Sequence, residues 1–167
     1  SATYELVQRD AFLTHWLNLK APRRIKPDTI PHPKVLELLS RVRRYGFEVL
    51  FLDITSDIKI PACACVLIDQ SGIGPEIVVG GGCDLEAASA LQRALTEVLG
   101  IRQVIRAKGL SYSLPEAYLP FSSGSIGQPE RLALWGNPEM RKEFNFFLQG
   151  EEETFADFAK AEKKISS

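Results

Sequence analysis

Phe47–Ile54 (FEVLFLDI), Ala62–Ile68 (ACACVLI) and Glu76–Val79 (EIVV) are short apolar runs that read as successive strands, together a sheet over 47–79. Asp69-Gln70-Ser71-Gly72 supplies turn chemistry between the second and the third. Gly80-Gly81-Gly82-Cys83-Asp84 then leads into the longest helical pattern, Leu85 to about Lys108 (85–108). In it Ala87, Leu91, Ala94, Leu95, Val98 and Ile105 form one apolar stripe. Asp84 is the expected N-cap of this helix. The glycine run is expected to be a tight turn, with an anion cradle at the helix N-terminus as the alternative.

Upstream, Lys34 to Tyr45 repeats Val35, Leu38, Leu39 and Val42 at helical spacing and stops at Gly46. Ala21 to Pro33 (APRRIKPDTIPHP) is proline-rich, so no long regular element is expected, and Arg23, Arg24 and Lys26 read as a solvated linker. Thr3 to about Leu19 is a helix, part of segment 1–19. Leu6, Leu13 and Leu17 share one face and Tyr4, Val7 and Ala11 another, which predicts a helix covered on both sides. Downstream, 111–128 reads as an irregular loop, and Pro138–Leu148 and Thr154–Lys164 as short helices. The order helix, helix, strand, strand, strand, helix predicts one domain over 1–167 of mixed α/β (α+β) class. Its antiparallel or mixed sheet would have about three to four strands packed with helices.

The composition is that of an ordinary globular chain: 167 residues, 45% hydrophobic and 25% charged, with a net charge of -1. No global basic field is present to hold nucleic acid or an anionic membrane surface, so neither is expected as a partner. No apolar run reaches membrane-spanning length and no signal peptide is visible. Three cysteines make no disulfide framework, so a cytoplasmic location is the default expectation. Cys63 and Cys65 alternate on a strand and, with Cys83, read as buried thiols rather than zinc ligands. His15 reads as packing or polar lining. Ser111, Ser113, Ser122, Ser123 and Ser125 form no nucleophile elbow.

The stripe Ser1, Glu5, Gln8 and Phe12 runs between the two apolar faces of the first helix. Arg93, Glu97 and Gly100 occupy one stripe of the long helix, with Arg102 farther round. Two such helices facing each other would hold Mg²⁺ through oxygen ligands while arginines meet phosphates. The alternative is that Glu5 and Glu97 are solvated and that Arg93 and Glu97 form an ordinary i, i+4 ion pair.

Ser1-x-x-x-Glu5-x-x-Gln8-Arg9-Asp10-Ala11-Phe12, followed by His15-Trp16-Leu17, resembles the first motif helix of the YcaO family. The Leu38–Val49 helix-to-strand passage, Ile60-Pro61, Gly80-Gly81-Gly82, Arg93-Ala94-Leu95-Thr96-Glu97 and Pro138–Leu148 (PEMRKEFNFFL) are similar to later landmarks. The resemblance implies a partial YcaO-like domain with ATP and Mg²⁺ as cofactors. It implies activation of a peptide backbone amide oxygen by phosphorylation, in a cyclodehydratase-like reaction that forms azolines, thioamides or amidines, as in bacteriocin biosynthesis.

Carried over by position, Glu5, Gln8 and Glu97 would face the metal, and Ser1, Arg9, Arg93 and Arg102 the phosphates. Gln8 stands where the family has a second Glu, and Gly100 where it usually has Gln. Those departures leave two alternatives: a catalytically degenerate module that binds a peptide or partner protein, or an accessory factor in ribosomal-protein methylthiolation. The chain begins at the first motif and ends without the family's C-terminal half, so no complete active site is expected of it alone. An apolar face left by missing strands would favour a homodimer.

Overall fold

A computed structural model describes residues 2–108 and 134–163, with only the backbone of residues 162 and 163. The expected loop at 111–128 lies outside the described residues. Helix α1 (Ala2–Leu17) is followed by strand β1 (Arg23–Ile25), a 3₁₀ turn (Pro27–Thr29) and helix α2 (Pro33–Arg44). Strands β2 (Phe47–Asp53), β3 (Ala62–Asp69) and β4 (Ile77–Cys83) come next, then helix α3 (Ala87–Ala107). Pro138–Met140, helix α4 (Arg141–Phe144) and Asn145–Leu148 form one run of helical turns. Strand β5 (Glu152–Glu153) and helices α5 (Phe155–Phe158) and α6 (Lys160–Lys163) close the described chain.

Among the described residues the sheet has five strands in the order β4-β3-β2-β1-β5, more than the three to four expected. It is mixed: β1, β2, β3 and β4 pair antiparallel in turn, whereas β1 and β5 run parallel. The two additional strands are very short and carry charge. β1 lies in the stretch read as a solvated linker, but its Arg23 and Arg24 pair with Asp53, Glu153 and Glu152 across the neighbouring strands. Sequence periodicity cannot register a strand of two or three residues whose partners are distant.

Helices cover both faces. Cys63, Cys65, Leu67, Val49, Phe51 and Val78 face one core with α2, α3 and α5. Ala62, Ala64, Val66, Ile68, Leu52 and Ile77 face the other with α1 and the 138–148 turns. Every residue of β3 is therefore buried, which explains an unbroken apolar run instead of an alternating one. Trp16 of α1 packs edge-on against Trp135 at 5.1 Å and tilted against Phe146 at 5.1 Å, clamping the 138–148 turns to that face.

Gly80, Gly81 and Gly82 are not a tight turn; they complete β4. A Cβ on Gly80 would meet the backbone N of Val98 at 2.5 Å, and one on Gly82 would collide with the carbonyl of Ala90. The glycines thus let α3 lie directly against the strand. Asp84 is likewise not the N-cap. α3 starts at Ala87 after Glu86, which makes no side-chain cap bond, while Asp84 accepts from the Glu86 N–H at 3.2 Å. The α3 stripe Ala87, Leu91, Ala94, Leu95, Val98 and Ile105 is buried as expected. α1 departs from expectation: Val7 and Ala11 are buried, but Leu6 and Leu17 are 69% and 72% exposed, so one side only is covered. The 154–164 helix is two short helices, the first opened by a capping box between Thr154 and Asp157.

Candidate functional site

Among the described residues β4 is the outer strand of the sheet, and alternate N–H groups along it have no ladder partner there. At its start, Glu76 N–H and Ile77 N–H donate to the carbonyls of Gly136 and Trp135, both at 3.0 Å. At Gly81 the donor is taken by Glu97 Oε2 at 2.8 Å. α1 and α3 lie on opposite faces of the sheet and reach each other around this bare edge. Gln8 Nε2 of α1 also donates to Glu97 Oε2, at 3.5 Å across 89 positions of sequence. A Cβ on Gly81 would collide with the Gln8 amide, so the glycine is what lets the two helices meet.

The resulting cleft has a volume of about 480 Å³. Glu5, Gln8 and Arg9 line one wall, Gln92, Arg93, Thr96 and Glu97 the other, and Gly81, Gly82 and Cys83 the floor. Glu5 Oε1 holds Arg9 Nη2 at 2.7 Å on the outer surface of α1. Arg93 does not pair with Glu97 one turn on. Its Nε donates to Asp84 Oδ2 at 2.9 Å, which anchors the start of α3 and turns the guanidinium along the cleft rim. Burial, with the Asp84 charge beside it, pushes the Cys83 thiol up to about 11, so no thiolate nucleophile is present near neutral pH.

Of the residues singled out in the sequence, Glu5, Gln8, Arg9, Arg93 and Glu97 come together here, and Ser1 lies outside the described residues. Arg102 does not reach the cleft. Its Nη2 bonds Asp69 Oδ2 at 2.7 Å and its guanidinium lies 4.3 Å from the centroid of Phe47. Burial pushes the Asp69 carboxyl up, but the Ser71 hydroxyl and Arg102 outweigh it and hold the group below the usual carboxylate range. Among the described residues nothing lies within 4 Å of where a Cβ on Gly100 would stand. Gln92 and Thr96 escaped the sequence reading, although they sit one residue before Arg93 and Glu97 and extend the same rim. His15 is held at Nδ1 by the Lys20 carbonyl at 3.2 Å, and burial lowers its pKa, in keeping with polar lining.

Two carboxylates, two amides and two guanidiniums over a glycine floor fit a phosphate group that brings its own hard cation. Mg²⁺ commonly takes one or two carboxylates, with substrate phosphates and water completing its shell. Among the described residues no three His, Cys, Asp or Glu side chains converge to hold a metal by themselves. No helix of the described residues is long and apolar enough to cross a membrane.

Comparison with known proteins bears on the same residues. A family model described as YcaO cyclodehydratase, ATP- and Mg²⁺-binding, matches residues 1–165. An uncharacterized protein of the tfuA 3′ region of Rhizobium leguminosarum bv. trifolii is 36% identical over 104 residues, 56% of this chain and 24% of that protein. A heterocyclase solved in complex with substrate and cofactor superposes with a TM-score of 0.70 at 23% identity, over 93% of this chain and 19% of its own. YcaO from Methanopyrus kandleri bound with AMPPCP and Mg²⁺ superposes with a TM-score of 0.57 at 18% identity, over 97% of this chain and 41% of its own. This chain thus spans about a quarter of the curated relative and less than half of either solved structure. With the family model matching almost end to end, and the two motif helices joined across the bare edge of one sheet, the chain belongs to the YcaO family.

Proposed function

We propose that this chain supplies part of the nucleotide site of a YcaO-type protein that activates peptide backbone amides with ATP and Mg²⁺. The observation that carries the reading is the meeting of Gln8 and Glu97 over Gly81, with Arg9 and Arg93 on the cleft rims. The bound nucleotide would supply the phosphoryl group that turns an amide oxygen, a poor leaving group, into a good one. Glu5 and Glu97 would face the cation, with the Gln8 carbonyl as a third oxygen once its amide turns away from Glu97. Arg9 and Arg93 would offset phosphate charge, each already oriented by a carboxylate partner. Gly81 N–H and the Gln8 amide hold Glu97 Oε2, and Oε1 would turn toward a ligand. The work left to the protein is positioning and charge neutralisation. The partner is a peptide or protein substrate, and the setting is cytoplasmic.

A second reading is a weakened module that binds a peptide or partner protein without turnover, including a methylthiolation accessory role. Gln8, which donates to Glu97 instead of adding a charge, and Gly100, which offers no ligand, favour it. Calorimetric titration with Mg-ATP separates the two. Saturable binding that disappears in Glu97→Ala supports the nucleotide reading; weak binding is expected of this part of the site alone, and no heat from a longer chain carrying the remainder of the domain supports the second.

Gln8→Glu adds a test of placement. Two carboxylates would then face each other across the cleft, so the protein should become less stable without Mg²⁺. Mg-ATP affinity should rise by up to about tenfold, or about 1.4 kcal/mol. Unchanged affinity would remove Gln8 from the metal shell.

A further inference from the structure

A second cluster of ionisable groups lies at the other edge of the sheet, remote from β4. Asp53 ends β2 opposite Arg23 of β1 on one side and Cys63 of β3 on the other. Glu153 of β5 stands beside Ile25, one step along β1 on the same face. Asp53 and Glu153 are buried, at 8% and 6% exposure. Arg23 reaches both, Nη2 to Asp53 Oδ2 at 3.3 Å and Nε to Glu153 Oε2 at 3.1 Å. Asp53 Oδ1 also accepts from Thr55 N–H at 2.8 Å. Among the described residues neither oxygen of Glu153 has a well-formed hydrogen bond. Arg23 thus draws both carboxyls into one buried corner, where they bond each other only if one carries a proton.

From this geometry we infer that Asp53 and Glu153 share one proton, and that this proton fastens β5 and the segment after it to the sheet. β5 is two residues long and is tied to β1 by Arg24 N–H to the Glu151 carbonyl at 2.8 Å and Lys26 N–H to the Glu153 carbonyl at 2.9 Å. Beyond it, Phe155 N–H bonds Thr29 Oγ1 at 2.8 Å, and Phe158 fills the core under α2 and α3. A charge uncovered on Glu153 therefore sits at the hinge of a lightly held segment.

The groups facing Glu153 agree in sign. The Asp53 and Asp157 carboxylates disfavour a second negative charge, and Arg23, among the described residues, opposes them. Asp157 stays ionised because Lys160 and Thr154 hold it well below the usual carboxylate range. Burial first and the Asp53 charge second push Glu153 up to about 7. The folded pKa is the raised one, so the stabilising contribution is complete below about 4.5 and is lost as pH rises through about 7.

Hydrogen exchange at Arg24 and Lys26 N–H, followed from about pH 5.5 to 8, tests the latch. After correction for intrinsic rates, the opening equilibrium should rise about tenfold or more, as expected for a pKa displaced by more than one unit. Glu153→Gln, which keeps the shape and removes the charge, should flatten that rise. Carboxyl NMR titration of the unaltered chain gives a measurement independent of how the variant folds. A Glu153 resonance that titrates near 7 supports the shared proton, and one that titrates near 4.5 overturns it, as does a pH-dependent opening that Glu153→Gln leaves unchanged. The latch is independent of the nucleotide reading, because none of its groups lines the β4 cleft.

Discussion

Gly81 and Gly82 are neighbours with opposite duties. The space above Gly81 is occupied by the flexible end of Gln8, and the space above Gly82 by the backbone of α3. Gly81→Ala should therefore displace Gln8 from Glu97 at a stability cost below about 1 kcal/mol, while weakening Mg-ATP binding in a titration. Gly82→Ala must move a helix and should cost about 1–3 kcal/mol by urea denaturation. Arg102 makes the contrasting case. Truncation to Ala leaves Asp69 buried without its cation, and the expected loss is about 3 kcal/mol by the same measurement. If Arg102→Ala kept full stability and lost only nucleotide affinity, its assignment to Asp69 and Phe47 would be wrong.

Among the elements, α1 and α3 show why amphipathic pattern alone could not say what covers a helix. Both carry apolar stripes in sequence. The α3 stripe is buried against β4 and β3, whereas Leu6 and Leu17 of α1 face solvent. Leu6→Gln and Leu17→Gln should each leave the unfolding free energy within about 0.5 kcal/mol of the parent, checked by thermal or urea melting. Phe147→Ala, in the 138–148 turns that pack on the covered side of α1, should cost about 3–5 kcal/mol, because its ring is fully buried against Phe12, Trp16 and Phe144. β1 and β5 were illegible for a different reason. All but Ile25 of their residues are charged, and what makes them strands is pairing with β2 and with one another over a separation of more than a hundred positions.

For the molecule as a whole, two buried acids pull the pH profile in opposite directions. Asp69 is held below the usual carboxylate range, so its contribution is present near neutral pH and is lost on acidification through that lowered pKa. Glu153 loses its contribution as pH rises toward about 7 and beyond. A plot of Tm against pH should therefore fall at both ends, and Glu153→Gln should flatten the alkaline side only.

The sequence by itself determined the mixed class, the β2 and β3 runs, the first half of β4 and the stripe of α3. Those features follow from local periodicity and from spacing along one helix, both of which are written in neighbouring residues. Tertiary structure alone decided that Gly80–Gly82 form strand instead of turn, that Arg93 turns to Asp84, that Arg102 belongs to Asp69, and that Asp53 and Glu153 share a buried corner. Each of these depends on which distant backbone comes close enough to collide, or to donate a hydrogen bond, and that distance is a property of the packed sheet and its helices.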